Sequence, residues 1–280
     1  MPEPRSVVIT GASRGLGLAS ATHLYRQGWR VVAAMRSPDT GLERLRAATG
    51  AGAGDPRLFA VRLDLDDAQS IAVAARAVTE RIGAPDVLVH NAGITAVGSV
   101  EDMPIGVWQQ IFSTNLFGAV ALTRALLPAM RGAGRGRIVV LSSEGGIAGM
   151  PAIAAYSASK GALERWGEAL AYEIAPFGLG VTILVAGMFK TDIITEQTPH
   201  HGDLVGPYAA QYATIDRRGR AMIRLAGSPD RFARALARTL DERAPFARHA
   251  IGWDARLLLL AHRVLPGSVL RGVIRLAMGL

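Results

Sequence analysis

Residues 7–17 have the sequence VVITGASRGLG, in which an apolar run is followed by three glycines. The run Val7-Val8-Ile9 predicts a buried strand, and the apolar spacing over residues 18–25 predicts a helix after the glycines. Glycine permits a positive φ and lets a ligand approach the backbone closely, and the first turn of a helix attracts phosphate. The segment therefore predicts a pyrophosphate-binding loop, with an ordinary tight turn as the alternative.

The rest of the chain repeats this alternation of strand and helix. Further strand-like apolar runs lie near residues 31, 58, 87, 138 and 181. Such alternation is typical of a parallel sheet with helices on both faces. No linker divides the 280 residues, of which half are apolar. We therefore predict one doubly wound, Rossmann-like α/β domain over residues 1–280, ending in a helical extension from about residue 255.

An arginine follows the second predicted strand. Arg36 stands directly after residues 31–35, where dinucleotide folds that choose NAD usually present an acid to the ribose hydroxyls. Together with Arg14 in the glycine loop, it can bind a 2′-phosphate through charge-assisted hydrogen bonds. We predict NADP in preference to NAD, the alternative being two ordinary surface arginines in an arginine-rich chain.

The chain contains only two lysines, and one of them, Lys160, follows Tyr156 by four positions in a predicted helix. Residues at i and i+4 share a helix face, so the ammonium is expected to favour the phenolate and to lower the pKa of Tyr156. This predicts Tyr156 as a general acid, although the spacing alone also arises by chance. Ser143, at the end of the strand predicted near residue 138, is placed to bind a substrate carbonyl oxygen.

A polar amide interrupts the apolar helix predicted over residues 107–130. Asn115 is a mediocre helix former, and in a buried position it needs hydrogen-bond partners. One interpretation is a water that joins Asn115 to Lys160 and extends a proton relay. The other is that Asn115 only braces the backbone.

Taken together, these residues resemble the short-chain dehydrogenase/reductase family over about residues 7–192. The resemblance implies hydride transfer between a nicotinamide and a carbonyl or secondary alcohol. In that reaction Tyr156 would protonate the oxygen, Lys160 would tune Tyr156 and bind ribose, Ser143 would orient the carbonyl, and Asn115 would hold relay water. The resemblance also implies a homo-oligomer, a dimer or tetramer. A sensor or scaffold that binds NADPH without turnover is the alternative, and it would not require Tyr156 or Ser143.

The resemblance extends to the residues that would contact the cofactor. Asp64 and Leu65 resemble the family's contact with the adenine ring, and residues 91–93 resemble the segment that supports the central sheet beside the cofactor. Ala186-Gly187 stands where the family usually has Pro-Gly. The predicted cofactor contacts are Gly11, Ser13, Arg14, Gly15, Leu16, Gly17, Arg36, Asp64, Leu65, Asn91, Ala92, Gly93, Tyr156, Lys160, Gly187 and Thr191.

Residues 191–225 follow the last cofactor strand, and in the family this region closes over the substrate. Its apolar side chains suit a hydrophobic substrate, although they can also pack a loop helix. The resemblance is closer to steroid and retinol dehydrogenases than to fatty-acid reductases. The predicted substrate contacts are Ser143, Met150, Ile153, Tyr156 and Phe189.

Composition excludes several other classes of function. The absence of cysteine excludes disulfides and cysteine-ligated metals, and with only His200-His201 adjacent we predict no metal site. The start of the chain has no signal-peptide pattern, so we predict a cytoplasmic protein. The net charge is +8, but the arginines are spread along the chain without a nucleic-acid motif, so no nucleic-acid partner is expected.

The predicted C-terminal extension, about residues 255–280, combines apolar residues with Arg271 and Arg275 at i, i+4. It is too short and too charged to span a bilayer, but a basic amphipathic helix can rest on a membrane surface. From the sequence we favour the other interpretation, a helix packed on its own domain or on another subunit.

Overall fold

The computed structural model describes residues 4–191 and 198–279. In these residues one parallel sheet has the strand order β3-β2-β1-β4-β5-β6-β7. The chain therefore reverses its direction across the sheet between β1 and β4, and such a switch point leaves a crevice at the carboxyl ends of the strands. The strands are β1 (Ser6–Thr10), β2 (Arg30–Met35), β3 (Leu58–Arg62), β4 (Val87–His90), β5 (Gly136–Ser143), β6 (Leu179–Ala186) and β7 (Phe246–Ile251).

Helices cover both faces of the sheet, and the predicted Rossmann-like fold is confirmed. Val8 of β1 packs in one core and Val7 and Ile9 in the other, which is why the strand is apolar at every position. The helices are α1 (Gly15–Arg26), α2 (Pro38–Thr49), α3 (Ala68–Ile82), α4 (Ile105–Phe112), α5 (Gly118–Ala133), α6 (Glu144–Ile147), α7 (Ala154–Ile174), α8 (Ala209–Ile223), α9 (Pro229–Thr239), α10 (Trp253–Val264) and α11 (Gly267–Met278).

The helix predicted over residues 107–130 is observed as α4 and α5, joined by the π-helical turn Ser113–Phe117. By length and composition alone, the continuous helix Ile105–Ala133 is long and apolar enough to cross a membrane. However, its side chains Leu122, Leu126 and Met130 are buried in the core. It is therefore a core helix of the domain, and its π-turn carries Asn115.

Strand β7 lies outside the set of strands predicted from the sequence. It pairs with β6 in parallel, with Arg248 opposite Ile183 and His249 opposite Leu184. It is one of the two edge strands of the sheet, and its two adjacent polar residues interrupt the apolar pattern. The same strand supplies a charged partner to the candidate site.

Candidate active site

Two glycines of the loop after β1 have no room for a side chain. Gly11 has φ +67°, and an added Cβ would lie 2.9 Å from Ala92 Cα. A Cβ at Gly17 would lie 2.3 Å from the Gly11 carbonyl oxygen. Gly15, with φ +55°, faces the side chain of Thr191. The result is a cradle of backbone atoms at the start of α1, which fits the pyrophosphate of a dinucleotide.

Thr10, the last residue of β1, ties this loop to β4. Its Oγ1 accepts hydrogen bonds from the Asn91 and Ala92 N–H groups, both at 3.0 Å, and donates to the Val89 carbonyl at 3.3 Å. Asn91 Nδ2 donates to the carbonyls of Thr10 at 2.8 Å and Gly11 at 3.3 Å. Asn91 thus braces the loop against β4. Thr10 is absent from the predicted contacts, and its only sequence signal is its place before Gly11.

Tyr156 and Lys160 on α7 meet Ser143 at the end of β5. The Ser143 side chain lies close enough to the Tyr156 hydroxyl to lower the pKa of the phenol, and Lys160 Nζ lies 5.8 Å from the centroid of the Tyr156 ring. The ammonium also donates to the Leu141 carbonyl at 2.8 Å. Lys160 is 3% exposed. Three of the four predicted catalytic side chains therefore lie together at the carboxyl end of β5.

Burial dominates the pKa of Tyr156. Desolvation raises the pKa of the phenol above its ordinary value, and the neighbouring Ser143 side chain opposes this only in part. The net shift of the Tyr156 pKa is therefore upward, opposite to the predicted lowering, because desolvation outweighs the influences that favour the phenolate. The ammonium is itself buried, and desolvation lowers the pKa of Lys160 to about 8. A phenol with a raised pKa keeps its proton at neutral pH, so Tyr156 is in the protonated form that carbonyl reduction needs, although it is a weaker acid than a phenol with a pKa near the working pH.

The amide of Asn115 is held within the core by two neighbouring segments. Its Oδ1 accepts from the Ile94 N–H at 2.8 Å, and its Nδ2 donates to the Ile94 carbonyl and to Ser159 Oγ, both at 3.0 Å. Ser159 Oγ donates in turn to the Tyr156 carbonyl at 2.7 Å. Asn115 therefore braces the segment after β4 against the helix that carries Tyr156. A water link from Asn115 to Lys160 stays a prediction.

A buried carboxylate that the sequence did not assign to the site lies one helical turn beyond Lys160. Glu164 is 1% exposed, accepts a hydrogen bond from Ser142 Oγ at 2.6 Å and forms an ion pair with Arg248 of β7. Its charge raises the pKa of Lys160 and so opposes the effect of burial. The i, i+4 spacing from Lys160 is the only signal of Glu164 in the sequence, and Arg248 has none.

The loop after β6 is held by a carboxylate from the C-terminal extension. Asp254, in the first turn of α10, accepts hydrogen bonds from the N–H groups of Met188 at 2.6 Å and Ala255 at 3.0 Å. A Cβ at Gly187 would lie 1.9 Å from Asp254 Oδ1, so any other residue at this position would displace the Asp254 carboxylate. Asp254 also affects Glu144, since burial and then the neighbouring Asp254 charge raise the pKa of Glu144 to about 7. Asp254 thus anchors the loop at the place where the family's proline is missing.

The two arginines predicted to choose the cofactor are both exposed. Arg14 is the N-cap residue of α1, and Arg36 directly follows β2. Among the described residues neither guanidinium forms an ion pair with a carboxylate. Both groups are thus available to an anion at this end of the sheet.

The remaining predicted cofactor contacts lie after β3, after β4 and in the glycine loop. Asp64 accepts a hydrogen bond from the Asp66 N–H at 3.1 Å, whereas Leu65 is buried against Gly118. Gly93 lies between Asn115 and Lys160, because an added Cβ would meet Asn115 Oδ1 at 3.3 Å and Lys160 Nζ at 3.4 Å. Leu16 packs on the core and Ser13 lies beside α2.

Two of the predicted substrate contacts lie just before α7. The Met150 N–H donates to Ser157 Oγ at 3.2 Å, and Ile153 flanks the first turn of α7 and forms a parallel bridge with Gly98. Both are partly buried. Their place beside the helix of Tyr156 is consistent with a substrate contact, which stays a prediction.

The ring of Phe189 has a neighbour in the core. It packs edge to face on Phe232 of α9, with the centroids 5.4 Å apart, and it belongs to the apolar cluster around that residue. A substrate contact for Phe189 stays a prediction. Residues 192–197 of the predicted substrate region lie outside the described residues.

A backbone cradle for a dinucleotide beside a serine, a tyrosine and a lysine defines the site of a nicotinamide-dependent oxidoreductase. The sequence model of the family described as short chain dehydrogenase matches residues 5–202, and the chain belongs to this family, whose members bind a nicotinamide cofactor. A crystal structure of a short-chain dehydrogenase from Streptomyces avermitilis has a TM-score of 0.81 and 35% identity, covering 98% of this chain and 96% of that one.

Two relatives have names that specify a substrate. A 3-ketodihydrosphingosine reductase of Bacteroides thetaiotaomicron is 29% identical over 280 residues, covering 98% of each chain. Retinol dehydrogenase 8 of Bos taurus is 38% identical over 193 residues, which cover 68% of this chain and 60% of the relative. Both names describe lipophilic molecules.

Proposed function

We propose that this protein is an NADP(H)-dependent oxidoreductase that interconverts a carbonyl and a secondary alcohol on a hydrophobic substrate. The observation that carries the proposal is the meeting of Ser143, Tyr156 and the buried Lys160 at the carboxyl end of β5, with Lys160 Nζ 5.8 Å from the centroid of the Tyr156 ring. A bound nicotinamide would supply or accept the hydride. The proposal excludes a sensor without turnover, because cofactor binding alone needs no acid at this position.

Each side chain has one part in the proposed reduction. Ser143 donates a hydrogen bond to the carbonyl oxygen and holds it beside Tyr156. Tyr156 transfers its proton to that oxygen as negative charge develops there. The ammonium of Lys160 stabilises the phenolate that remains, since opposite charges attract strongly in a site without water. Oxidation of the alcohol uses the same groups in reverse.

Replacing Tyr156 tests the acid directly. In Tyr156→Phe we expect NADPH oxidation with a panel of long-chain ketones and aldehydes to fall by about 10²–10⁴-fold, the usual contribution of a general acid. Protection from thermal unfolding by NADPH should persist. Tyr172→Phe is the matched control, because Tyr172 is on the same helix and 82% exposed. A variant without Tyr156 that keeps full turnover contradicts the mechanism, and no turnover of the intact protein across the panel favours the sensor.

The choice of NADP is supported by the two exposed arginines and by the lack of an acid at position 36. We expect NADP to protect the protein from thermal unfolding better than NAD, and Arg36→Asp to abolish the difference. Arg44→Asp, an exposed arginine on α2, is the control and should keep it. Equal protection of the intact protein by both cofactors would contradict the role of Arg36.

A hydrophobic substrate is supported by the lipophilic names of the two relatives and by exposed apolar residues in the predicted substrate region. Leu204, Val205 and Leu225 are 67%, 93% and 69% exposed. We expect kcat/KM to rise with the length of the alkyl chain in a series of ketones, by about tenfold for each added pair of methylenes that is buried on binding. A preference for short polar ketones would contradict this part of the proposal. A homo-oligomer and a cytoplasmic location stay predictions, testable by sedimentation velocity and cell fractionation.

A further inference from the structure

The two C-terminal helices each present apolar side chains to solvent. On α10 these are Trp253, Leu257, Leu260 and Val264, which are 54%, 59%, 57% and 65% exposed. Their spacing of four, three and four positions places them on one helix face. On α11 the exposed apolar residues are Val269, Val273 and Leu276, again at i, i+4 and i+7. Each helix therefore carries a continuous apolar stripe that the domain leaves uncovered.

Both helices are already attached to the domain through their other sides. α10 buries Ala255 completely in the core and is fixed at its start by Asp254. α11 buries Leu270, and its last turn accepts hydrogen bonds from Arg218 of α8, at 2.5 Å to the Leu276 carbonyl and 2.6 Å to the next one. The exposed stripes therefore take little part in packing these helices on the described domain.

Positive charge accompanies these stripes. Arg256, Arg263, Arg271 and Arg275 are all exposed, and none forms an ion pair with a carboxylate in the part of the chain that the structure describes. From residue 253 onwards the sequence contains one acidic residue, Asp254. Its carboxylate accepts a hydrogen bond from the Met188 N–H in the loop after β6. Apolar side chains combined with unpaired arginines require a partner that is both apolar and anionic.

We propose that α10 and α11 form a surface that binds an anionic lipid bilayer at its interface. Leucine, valine and tryptophan side chains partition into the boundary between headgroups and acyl chains, while arginines bind anionic headgroups. A second copy of this chain fits less well, because joining two such faces would bring arginines together without acids to neutralise them. The extension packs on its own domain, as the sequence interpretation favoured, and the proposed bilayer contact uses the helix faces that this packing leaves exposed.

The surface adjoins the region assigned to substrate choice. α11 lies against α8, and the shallow cleft between them is lined by Ala210, Gln211, Thr214, Arg275 and Gly279. A lipid-bound orientation would place the segment around α8 close to the bilayer, where a hydrophobic substrate is most concentrated. This connection with the substrate rests on the proposed function, whereas binding to lipid does not.

Cosedimentation of the full chain with vesicles tests the proposal without any turnover, so failure of the reductase proposal would leave its outcome unaffected. We expect the protein to pellet with vesicles of phosphatidylcholine mixed with phosphatidylserine, and to remain soluble with phosphatidylcholine alone. Added salt should weaken the association, because it screens the arginines. Intact protein that stays in the supernatant with both vesicles would overturn the proposal.

Matched variants separate this surface from general hydrophobicity. Leu257→Asp combined with Leu260→Asp should weaken vesicle binding by about tenfold or more. Val73→Asp combined with Val100→Asp changes two exposed valines elsewhere, 46% and 68% exposed, and should leave binding unchanged. Equal loss in both double variants would contradict the assigned surface. A concentration-dependent dimer that only the leucine variant dissociates, without vesicle binding by the intact chain, would assign the surface to a second copy instead.

Discussion

The glycine loop and the surroundings of Lys160 lie at the same end of the sheet, but they depend on opposite properties of the chain. The loop is shaped by missing atoms, since a Cβ at Gly17 would overlap the Gly11 carbonyl. The Lys160 region is shaped by charged side chains, since the buried Glu164 forms an ion pair with the partly exposed Arg248 one turn beyond the ammonium. An added methyl should therefore destabilise the glycine loop, and a removed charge should destabilise the Lys160 region.

The largest expected effect comes from adding that methyl. Gly17→Ala would place a Cβ 2.3 Å from the Gly11 carbonyl oxygen and 2.6 Å from Asn91 Nδ2. The first atom is backbone and the second is held by hydrogen bonds to the Thr10 and Gly11 carbonyls, so there is little room to adjust. We expect the free energy of unfolding to fall by about 3 kcal/mol, as for other overpacked sites. Protection by NADP should disappear as well, which thermal unfolding with and without cofactor would measure.

Gly106→Ala is the control for this substitution, because no atom lies within 4 Å of a Cβ placed there. In helix α4 the alanine should stabilise the protein by about 0.5–1 kcal/mol. If Gly17→Ala behaves like Gly106→Ala, the loop has more freedom than its contacts indicate, and the contrast with the Lys160 region fails.

These two regions also differ in how far the sequence predicts them. The glycine loop could be predicted because its determinants are local, a strand, three glycines and a helix within residues 7–25. Glu164 and Arg248 could not, because they are 84 positions apart and Arg248 belongs to an edge strand without an apolar pattern. Sequence spacing identifies neighbours within one helix but does not show which distant strand supplies a countercharge.

The second prediction removes the charge of Glu164. Glu164→Gln keeps a hydrogen-bond acceptor for Ser142 but leaves Arg248 without its anion. Because Arg248 is 23% exposed and can reach water in part, we expect the free energy of unfolding at neutral pH to fall by about 2 kcal/mol, less than for a fully buried pair. Urea unfolding would measure the change.

The same variant should change the pH dependence of carbonyl reduction. Lys160, with its pKa lowered to about 8, is positively charged below that pH and neutral above it, so activity should decline above about pH 8. Loss of the Glu164 charge lowers the pKa of Lys160 further, and the decline should begin at lower pH. Glu168→Gln, which removes the partly buried partner of the exposed Arg165, should change stability by less than about 1 kcal/mol. Identical pH profiles for both variants would rule out an electrostatic effect of Glu164 on Lys160.

The pKa of Tyr156 shows a second limit of reasoning from spacing. The i, i+4 relation to Lys160 correctly places the two groups side by side, but it contains no information about water. In the structure Lys160 is buried and Tyr156 is partly buried, so desolvation raises the phenol pKa and lowers the ammonium pKa. Burial depends on the packing of β5, α6 and α7 together, which no single segment of the sequence determines.

The third prediction concerns Glu144, whose pKa is raised from 4.5 to about 7 by burial and by Asp254. Between these values the native state binds more protons than the unfolded state, so stability should fall as the pH rises from 4.5 to about 7. Glu144→Gln removes this dependence and should raise the free energy of unfolding by about 1–2 kcal/mol near pH 8. Near pH 4 it should have little effect. Glu43→Gln, on the exposed side of α2, should show no such difference between the two pH values.

The smallest expected effect occurs at Ala152. Its backbone has a positive φ like that of Gly11 and Gly15 in the glycine loop, but its side chain carries a Cβ. Its φ of +62° makes it the one non-glycine residue with a positive φ within residues 4–191 and 198–279, and its carbonyl accepts a hydrogen bond from the Gly98 N–H at 2.8 Å. The left-handed conformation costs an alanine about 1–2 kcal/mol, while glycine loses more chain entropy on folding. We therefore expect Ala152→Gly to stabilise the protein by about 0.5 kcal/mol. Ala213→Gly, at an exposed position in helix α8, should destabilise it by about 1 kcal/mol, and equal destabilisation in both variants would show that the positive φ at Ala152 carries no strain.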